Sequence, residues 1–397
     1  MSSIFRREYK RKDQDIALEE ASTIISDLNN WESEWPTLIE KLSSERSELR
    51  LSAMQSMNKI LTAKFIGEEI MQFLNNTVLA LIETIKNPAS KNEHDEALAV
   101  ICNLSLNVFD EFESCAITLL NEIMPNLKNI TEEQAFQFFA IAFTSSFSIS
   151  HHDITIKVFN KLTDFITKKK SPNFTPEMIA NCISSIRLII SSLPVELVST
   201  ELYPNLTSIL DNAFSTQKHK IIMASIPLFG IIYEILRSYE DEAEEKSEEI
   251  TPLSKPFFDR YRPRLQNLSK SITKKDHKKE ITNEVGQAIA TINDDFDEEI
   301  ILSHQSVHII GRRNNLKVSA IRRITRTYFL QQMTQNTRIH QMFGFELMSH
   351  TQALRIKKGK KGEVHRERII NAKEREKEIA KQRKRKDIRE GMFNEDD

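Results

Sequence analysis

Ser47-Glu-Leu-Arg-Leu-Ser-Ala-Met-Gln-Ser-Met-Asn-Lys-Ile-Leu-Thr-Ala-Lys64 places Leu49, Ala53, Met54, Met57, Ile60 and Leu61 at steps of three and four residues. That period lays the six side chains on one face of an α-helix that must pack against a neighbour. From residue 14 to residue 240 the chain reads the same way, as one helix after another. Thr131-Glu-Glu-Gln134 is a capping box, a Thr N-cap with a Gln three residues on. Thr175-Pro-Glu177 puts a capping hydroxyl before a proline at the first helical position, where the missing N–H costs nothing.

Helix starts fall near residues 47, 91, 131, 175 and 218, with a second set near 66, 112, 153 and 195; the first series advances by 44, 40, 44 and 43 residues. HEAT and armadillo repeats have a period of roughly 40–47 residues. Each helix pair has too little apolar surface to fold alone and stacks on the next. The predicted fold is therefore mainly α: an armadillo/HEAT-like helical-repeat solenoid, with a non-repetitive helical domain as the alternative. Its expected core includes Leu104, Ile123, Phe138, Phe159, Ile186 and Leu210.

Composition agrees. Only 8 glycines and 11 prolines occur in 397 residues, too few glycines for the turns of a strand-rich or doubly wound fold. Cys102, Cys115 and Cys182 are odd in number and widely spaced, which predicts reduced thiols in a cytoplasmic or nuclear protein. The N-terminal residues lack the apolar core of a signal peptide. The longest apolar run, Ile221–Leu236, contains Pro227 and Gly230 and is short for a membrane span, so it reads as a buried core helix.

Five regions follow. Residues 1–34 form an N-terminal extension with a first helix, and 35–240 the repeat domain. The acids of Glu240–Glu249, followed by Pro252 and Pro256, mark a linker over 241–256. Residues 257–350 form a small helical C-terminal domain with one β-hairpin, Glu299–Leu302 against Val307–Ile310 across Ser-His-Gln-Ser. Phe257–Ile292 reads as helical before the hairpin, and helices are predicted at 313–334 and 336–348 after it. Residues 351–397 form a basic tail.

Glu298-Glu-Ile-Ile-Leu-Ser-His-Gln-Ser-Val-His-Ile-Ile310 resembles the C-terminal domain of the interferon-related developmental regulator family, as does Ala320-Ile-Arg-Arg-Ile324 followed by Phe329, Met333, Asn336, Ile339 and Met342-Phe343. The basic knot around Lys274–Lys279 looks like that family's segment upstream of this domain. Leu49–Met57 is the nearest piece to its armadillo-like N-terminal domain, and the likeness spans roughly residues 35–390. Two departures stand out. Where the family usually has a tryptophan soon after the hairpin, this chain has Gly311-Arg-Arg313; its glycine-containing turn in the next helix is here Arg326-Thr-Tyr328. The resemblance implies a non-enzymatic regulator. Such proteins act as transcriptional co-regulators with chromatin-modifying complexes, or as ribosome-associated factors that silence translation through a C-terminal basic segment in the RNA channels.

The residues give no reason to propose catalysis or a cofactor. The glycines never form a phosphate loop or dinucleotide fingerprint, and the spacings C-x-x-C and H-E-x-x-H are absent. His151-His152-Asp153 sits at a helix junction, where such residues cap. His304 and His308 lie on the predicted hairpin rather than on adjacent helical turns. No nucleophile elbow frames a serine, and Asp294-Asp295 reads as solvated acid.

Charge is the functional signal. Ser306–Met392 holds 23 Lys+Arg against 8 Asp+Glu, a net of +15. With the terminal Glu395, Asp396 and Asp397 set aside, residues 1–305 keep 32 of the 55 basic and 46 of the 57 acidic residues, a net of −14. Segregation of this kind is the footprint of a polyanion partner. The candidate phosphate contacts are Lys357, Lys358, Lys360, Lys361, Arg366, Arg368, Lys373, Arg375, Lys377, Lys381, Arg383, Lys384, Arg385, Lys386 and Arg389. Glu374 and Glu378 lie three residues before Lys377 and Lys381, which supports an exposed tail helix. From Glu363 to Glu390 it would be about 42 Å long. No aromatic occurs between Phe345 and Phe393, so contacts would go to phosphate and RNA shape rather than to bases. A nuclear localisation signal at Lys381–Lys386, or a solvated tail, are the plainer readings.

Two functions follow. One is an RNA-binding regulator of translation whose partner is ribosomal or other RNA. The other is a nuclear scaffold whose repeat surface recruits a transcriptional complex. Neither calls for a membrane or a small-molecule substrate.

Overall fold

The computed structural model describes residues 30–347, apart from 168–173, 269, 271, 273, 295, 303 and 304. Those residues are mainly helical, with one two-stranded sheet. Helices α1 (Trp31–Leu42), α2 (Ser47–Ala63), α3 (Met71–Lys86), α4 (Lys91–Val108), α5 (Glu113–Ile123), α6 (Phe136–Phe147), α7 (His152–Thr167), α8 (Pro176–Ser192), α9 (Tyr203–Phe214) and α10 (His219–Glu245) follow in order. Helices α2, α4, α6, α8 and α10 each pack on the next, and the helices between them pack on their sequence neighbours as α3 on α4, α7 on α8 and α9 on α10. The expected core residues Leu104, Ile123, Phe138, Phe159, Ile186 and Leu210 are all buried. Leu49 is not; it is 40% exposed in the first turn of α2, off the face that Met54, Met57 and Leu61 bury.

Local chemistry places the helix starts. The Ser90 hydroxyl accepts from Glu93 N at the start of α4, and the Thr175 hydroxyl from Met178 N at the start of α8. At Thr131 the N–H donates to Gln134 Oε1 at 3.3 Å, but the box opens a 3-10 turn, Glu132–Gln134, and α6 begins only at Phe136. The start predicted near 195 likewise becomes one α-turn and a π-turn before α9.

Glu93 shows how neighbouring helices are coupled. Its carboxylate is fully buried in the first turn of α4, where the helix dipole favours it. It accepts from Arg50 Nε of α2 at 2.5 Å, from Ala89 N at 2.6 Å and from the Ser47 hydroxyl at 3.3 Å. Glu93→Ala strands the Arg50 guanidinium, which is only 15% exposed, and should cost on the order of 3–5 kcal/mol by urea unfolding. Arg50→Met with Glu93→Gln removes both charges together and keeps an amide acceptor for Ala89 N. That double variant should stay within about 1.5 kcal/mol of the parent, since no buried charge is left unpaired; the carbonyls of Ser44 and Glu45, which lose Arg50 Nη1, belong to exposed or half-buried residues that water can reach.

The acidic run read as a linker is helical as far as Glu245. Helix α10 runs through it because the Glu240 carboxylate has partners beyond the helix: Leu253 N at 2.5 Å, Ser254 N at 2.7 Å and the Ser254 hydroxyl at 2.6 Å. These contacts start α11 (Ser254–Leu268), and α12 (Lys275–Ala290) follows; both pack on α10. By length and composition α10 would suffice to cross a membrane. Here Ile222, Ile226, Phe229, Ile232 and Leu236 are buried, with Phe229 stacked on Phe257 of α11.

Strands β1 (Asp297–Ile301) and β2 (Ser306–Ile310) form the expected hairpin, two residues earlier on its first strand than predicted. Then come α13 (Arg312–Thr325), α14 (Phe329–Gln335) and α15 (Thr337–Phe343). The single helix expected over 313–334 breaks at Arg326, which has φ +51°, and a 3-10 turn through Tyr328 links α13 to α14. Glycine is the residue for which a positive φ is unstrained, so Arg326 holds this break at some conformational cost.

The described residues fall into two compact units. One contains those up to Ile300 together with His308–Phe345; the other contains Ile301–Val307 with Glu346 and Leu347. In the second unit Leu302 N donates to Gln305 O at the hairpin tip, and Gln305 Nε2 to Glu346 O.

Candidate functional site

All fifteen basic residues singled out for phosphate contact, Lys357 to Arg389, lie outside the described residues. What is described is the framework that leads to them, α13–α15, and the other cations of the first unit.

Helix α13 is fixed at its start. The Glu234 carboxylate of α10 accepts from Arg312 N at 2.7 Å and Arg313 N at 3.2 Å, covering amides that have no intrahelical partner. Gly311 before them has φ +89°, and a Cβ there would stand 3.0 Å from Glu234 Oε1. The positive φ disfavours any side chain here, and a Cβ would also crowd the capping carboxylate. The Arg313 guanidinium donates to Leu193 O at 2.8 Å and Ser191 O at 3.3 Å at the C-terminal end of α8. Its positive charge faces the negative end of that helix. Burial lowers its pKa, opposed by Glu234 and Glu242.

The following residues close further helix ends. Gln332 Nε2 donates to Leu61 O at 3.0 Å and Thr62 O at 2.9 Å, and Gln331 Nε2 to Ala63 O, so the open carbonyls of α2 are met. Asn336 Nδ2 donates to Leu106 O of α4 at 3.0 Å, while its Oδ1 caps α15. Gln332 and Asn336 are fully buried. Arg323 lies 4.2 Å over the Phe139 ring and 5.1 Å over that of Phe136. Ile339 is buried and Phe343 half-buried, and Arg338 of α15 donates to Glu111 at 2.7 Å. No local signal predicts this docking; the only sign is amides at positions that the apolar frame of Phe329, Met333 and Ile339 pulls inward.

A second cluster of cations gathers where α10 and α12 begin. The His219 and His277 rings stack at 4.1 Å, and Glu280 Oε2 comes within 2.9 Å of His219 Nε2. Lys218, Lys274, Lys275, Lys278 and Lys279 surround this junction and are all exposed.

Among the described residues no three His, Cys, Asp or Glu side chains converge as metal ligands. His151 and His152 are exposed, with Asp153 in the first turn of α7. His304 lies outside the described residues. His308 Nδ1 sits 2.9 Å from the Asp297 carboxylate across the hairpin, which raises its pKa. Cys102, Cys115 and Cys182 are free and buried, and burial pushes all three thiols up, away from the reactive thiolate.

A family model described as interferon-related developmental regulator matches residues 9–283, which spans α1 to α11 and the first half of α12. No curated protein matches the sequence. Among solved structures 21 chains match; one, the crystal structure of an engineered protein, is 13% identical with a TM-score of 0.37, covering 65% of this chain and 97% of that one.

Proposed function

The chain belongs to the interferon-related developmental regulator family, and on that premise we propose that it is a non-enzymatic regulator of gene expression that binds RNA, foremost that of the ribosome, through its basic C-terminal arm and so represses translation. The observation that carries this is the charge segregation, +15 over Ser306–Met392 against −14 over residues 1–305. An acidic body is repelled by bulk RNA over most of its surface, so phosphate contact is concentrated in the arm. The two interleaved helix rows, each packed on its neighbours, support an armadillo-like solenoid. The nuclear scaffold is the second reading, with the repeat surface as the partner site.

Gradient sedimentation of cell lysate separates the two. On the RNA reading the protein travels with ribosomal fractions, and ribonuclease or high salt returns it to the top of the gradient. Sedimentation in a heavy complex that ribonuclease leaves intact would instead establish the scaffold.

A further inference from the structure

The first turn of α12 is built against its own helix. Lys274 is its N-cap residue, and Lys275, Lys278 and Lys279 follow. A helix N-terminus carries partial positive charge and favours acids, so cations there oppose the dipole. Lys274 with Lys278, and Lys275 with Lys278 and Lys279, are also like-charge neighbours at the three- and four-residue steps that place side chains side by side. Asp276 is the one acid of this turn, and Glu280, in the next, faces His219. Lys218, at the N-cap of α10, is brought alongside by the His219–His277 stack. Glu177, across the junction, is held by Lys220. Among the described residues none of Lys218, Lys274, Lys275, Lys278 and Lys279 forms an ion pair, and all five are exposed. Such a turn is locally unfavourable for folding and suits an anion that arrives from outside.

We propose that this lysine cluster is a second contact surface for the RNA phosphate backbone, separate from the arm and carried by the folded unit. The proposal rests on the RNA reading of the protein. Phosphate is favoured over an acidic peptide because the cluster has lysine point charges only. It lacks the arginines and exposed aromatics that anchor protein interfaces, from which lysine is depleted. The exposed apolar residues Leu49, Met71, Leu79, Phe296 and Ile310 belong to other elements. Contact would be to backbone and shape, with no base read.

The test uses the full-length chain and a 20-base-pair RNA duplex, with affinity measured by fluorescence anisotropy across a salt series. Three variants are compared: Lys274→Gln, Lys275→Gln, Lys278→Gln and Lys279→Gln together; five glutamines in the arm at Arg366, Arg368, Lys373, Arg375 and Lys377; and all nine. At roughly 0.7–0.9 per phosphate, four lost contacts should flatten the slope of log affinity against log salt by about 3, in the parent and again in the arm variant. The same four substitutions should raise the melting temperature of the RNA-free protein, because they relieve the repulsion in the turn. An unchanged slope in the four-lysine variant alongside a reduced one in the arm variant overturns the proposal and leaves the arm reading intact. Slopes unchanged in all three variants overturn both. A lowered melting temperature would mean the lysines serve the fold, and loss of a ribonuclease-resistant protein partner would make this a protein surface; either result overturns the proposal.

Discussion

Gln332→Ala should destabilise the fold by about 3 kcal/mol, seen as a lower urea midpoint at unchanged slope. Gln332 Nε2 is shared between Leu61 O and Thr62 O, the open carbonyls at the end of α2. Leu61 O keeps a second donor, Asn107 Nδ2 at 3.1 Å, so the substitution orphans Thr62 O in a site closed to water. It also leaves a gap where a fully buried side chain stood, adding a cavity cost to the lost bond. Gln335, on the same short helix but exposed, supplies the control: Gln335→Ala should move stability by no more than about 0.5 kcal/mol. Gln332→Glu is the sharper variant. It sets a carboxylate against two carbonyls at the negative end of a helix, which raises that group's folded-state pKa above its unfolded value. The penalty is then full at neutral pH and shrinks as pH falls through the folded pKa, where the protonated group can donate. A Gln332→Ala protein as stable as the parent would mean that α14 does not close the end of α2.

Fold and site were legible in the sequence to different degrees, and the difference is one of range. Thr175 marks a helix boundary through a group three residues on, and the apolar period alone places the starts near 47 and 218; α2, α8 and α10 begin within one residue of these positions. The hairpin followed from two β-branched runs and a short polar loop. Glu240–Glu249 misled because acids without an apolar stripe look like a linker. The partners of Glu240 are the amides of Leu253 and Ser254, two elements' ends joined by one carboxylate. Least legible was the return of α13–α15 to the front of the chain. Gln331 meets Ala63, Gln332 meets Leu61 and Thr62, and Asn336 meets Leu106, each across more than two hundred residues. Amides in a helix read as solvated unless the carbonyls awaiting them are known, and those carbonyls are orphaned by the ends of other helices. The arm was legible as composition alone, because charge density needs no fold to be counted.

Five glutamines in the arm, at Arg366, Arg368, Lys373, Arg375 and Lys377, should abolish ribosome association at physiological salt and leave the folded unit unchanged. The choice leaves Lys381–Lys386 intact, and with it the stretch that would serve as an import signal. Glutamine has a helix propensity close to that of lysine and arginine, so the substitutions remove charge with little effect on backbone preference. Each phosphate neutralised by a cation releases condensed counterions, which ties affinity to salt. At about 0.7 per phosphate, five lost contacts lower the slope of log affinity against log salt by roughly 3–4. The effect therefore grows as salt is lowered, and the comparison has meaning only at matched ionic strength. A scaffold that used the arm only for import would behave otherwise: the variant would still reach the nucleus, keep its protein partners and lose nothing that depends on RNA. Normal RNA binding by this variant at matched salt would remove the arm as the functional element and promote the scaffold. Lost RNA binding with an unchanged melting temperature would place the activity in the charge of the arm rather than in the stability of the fold.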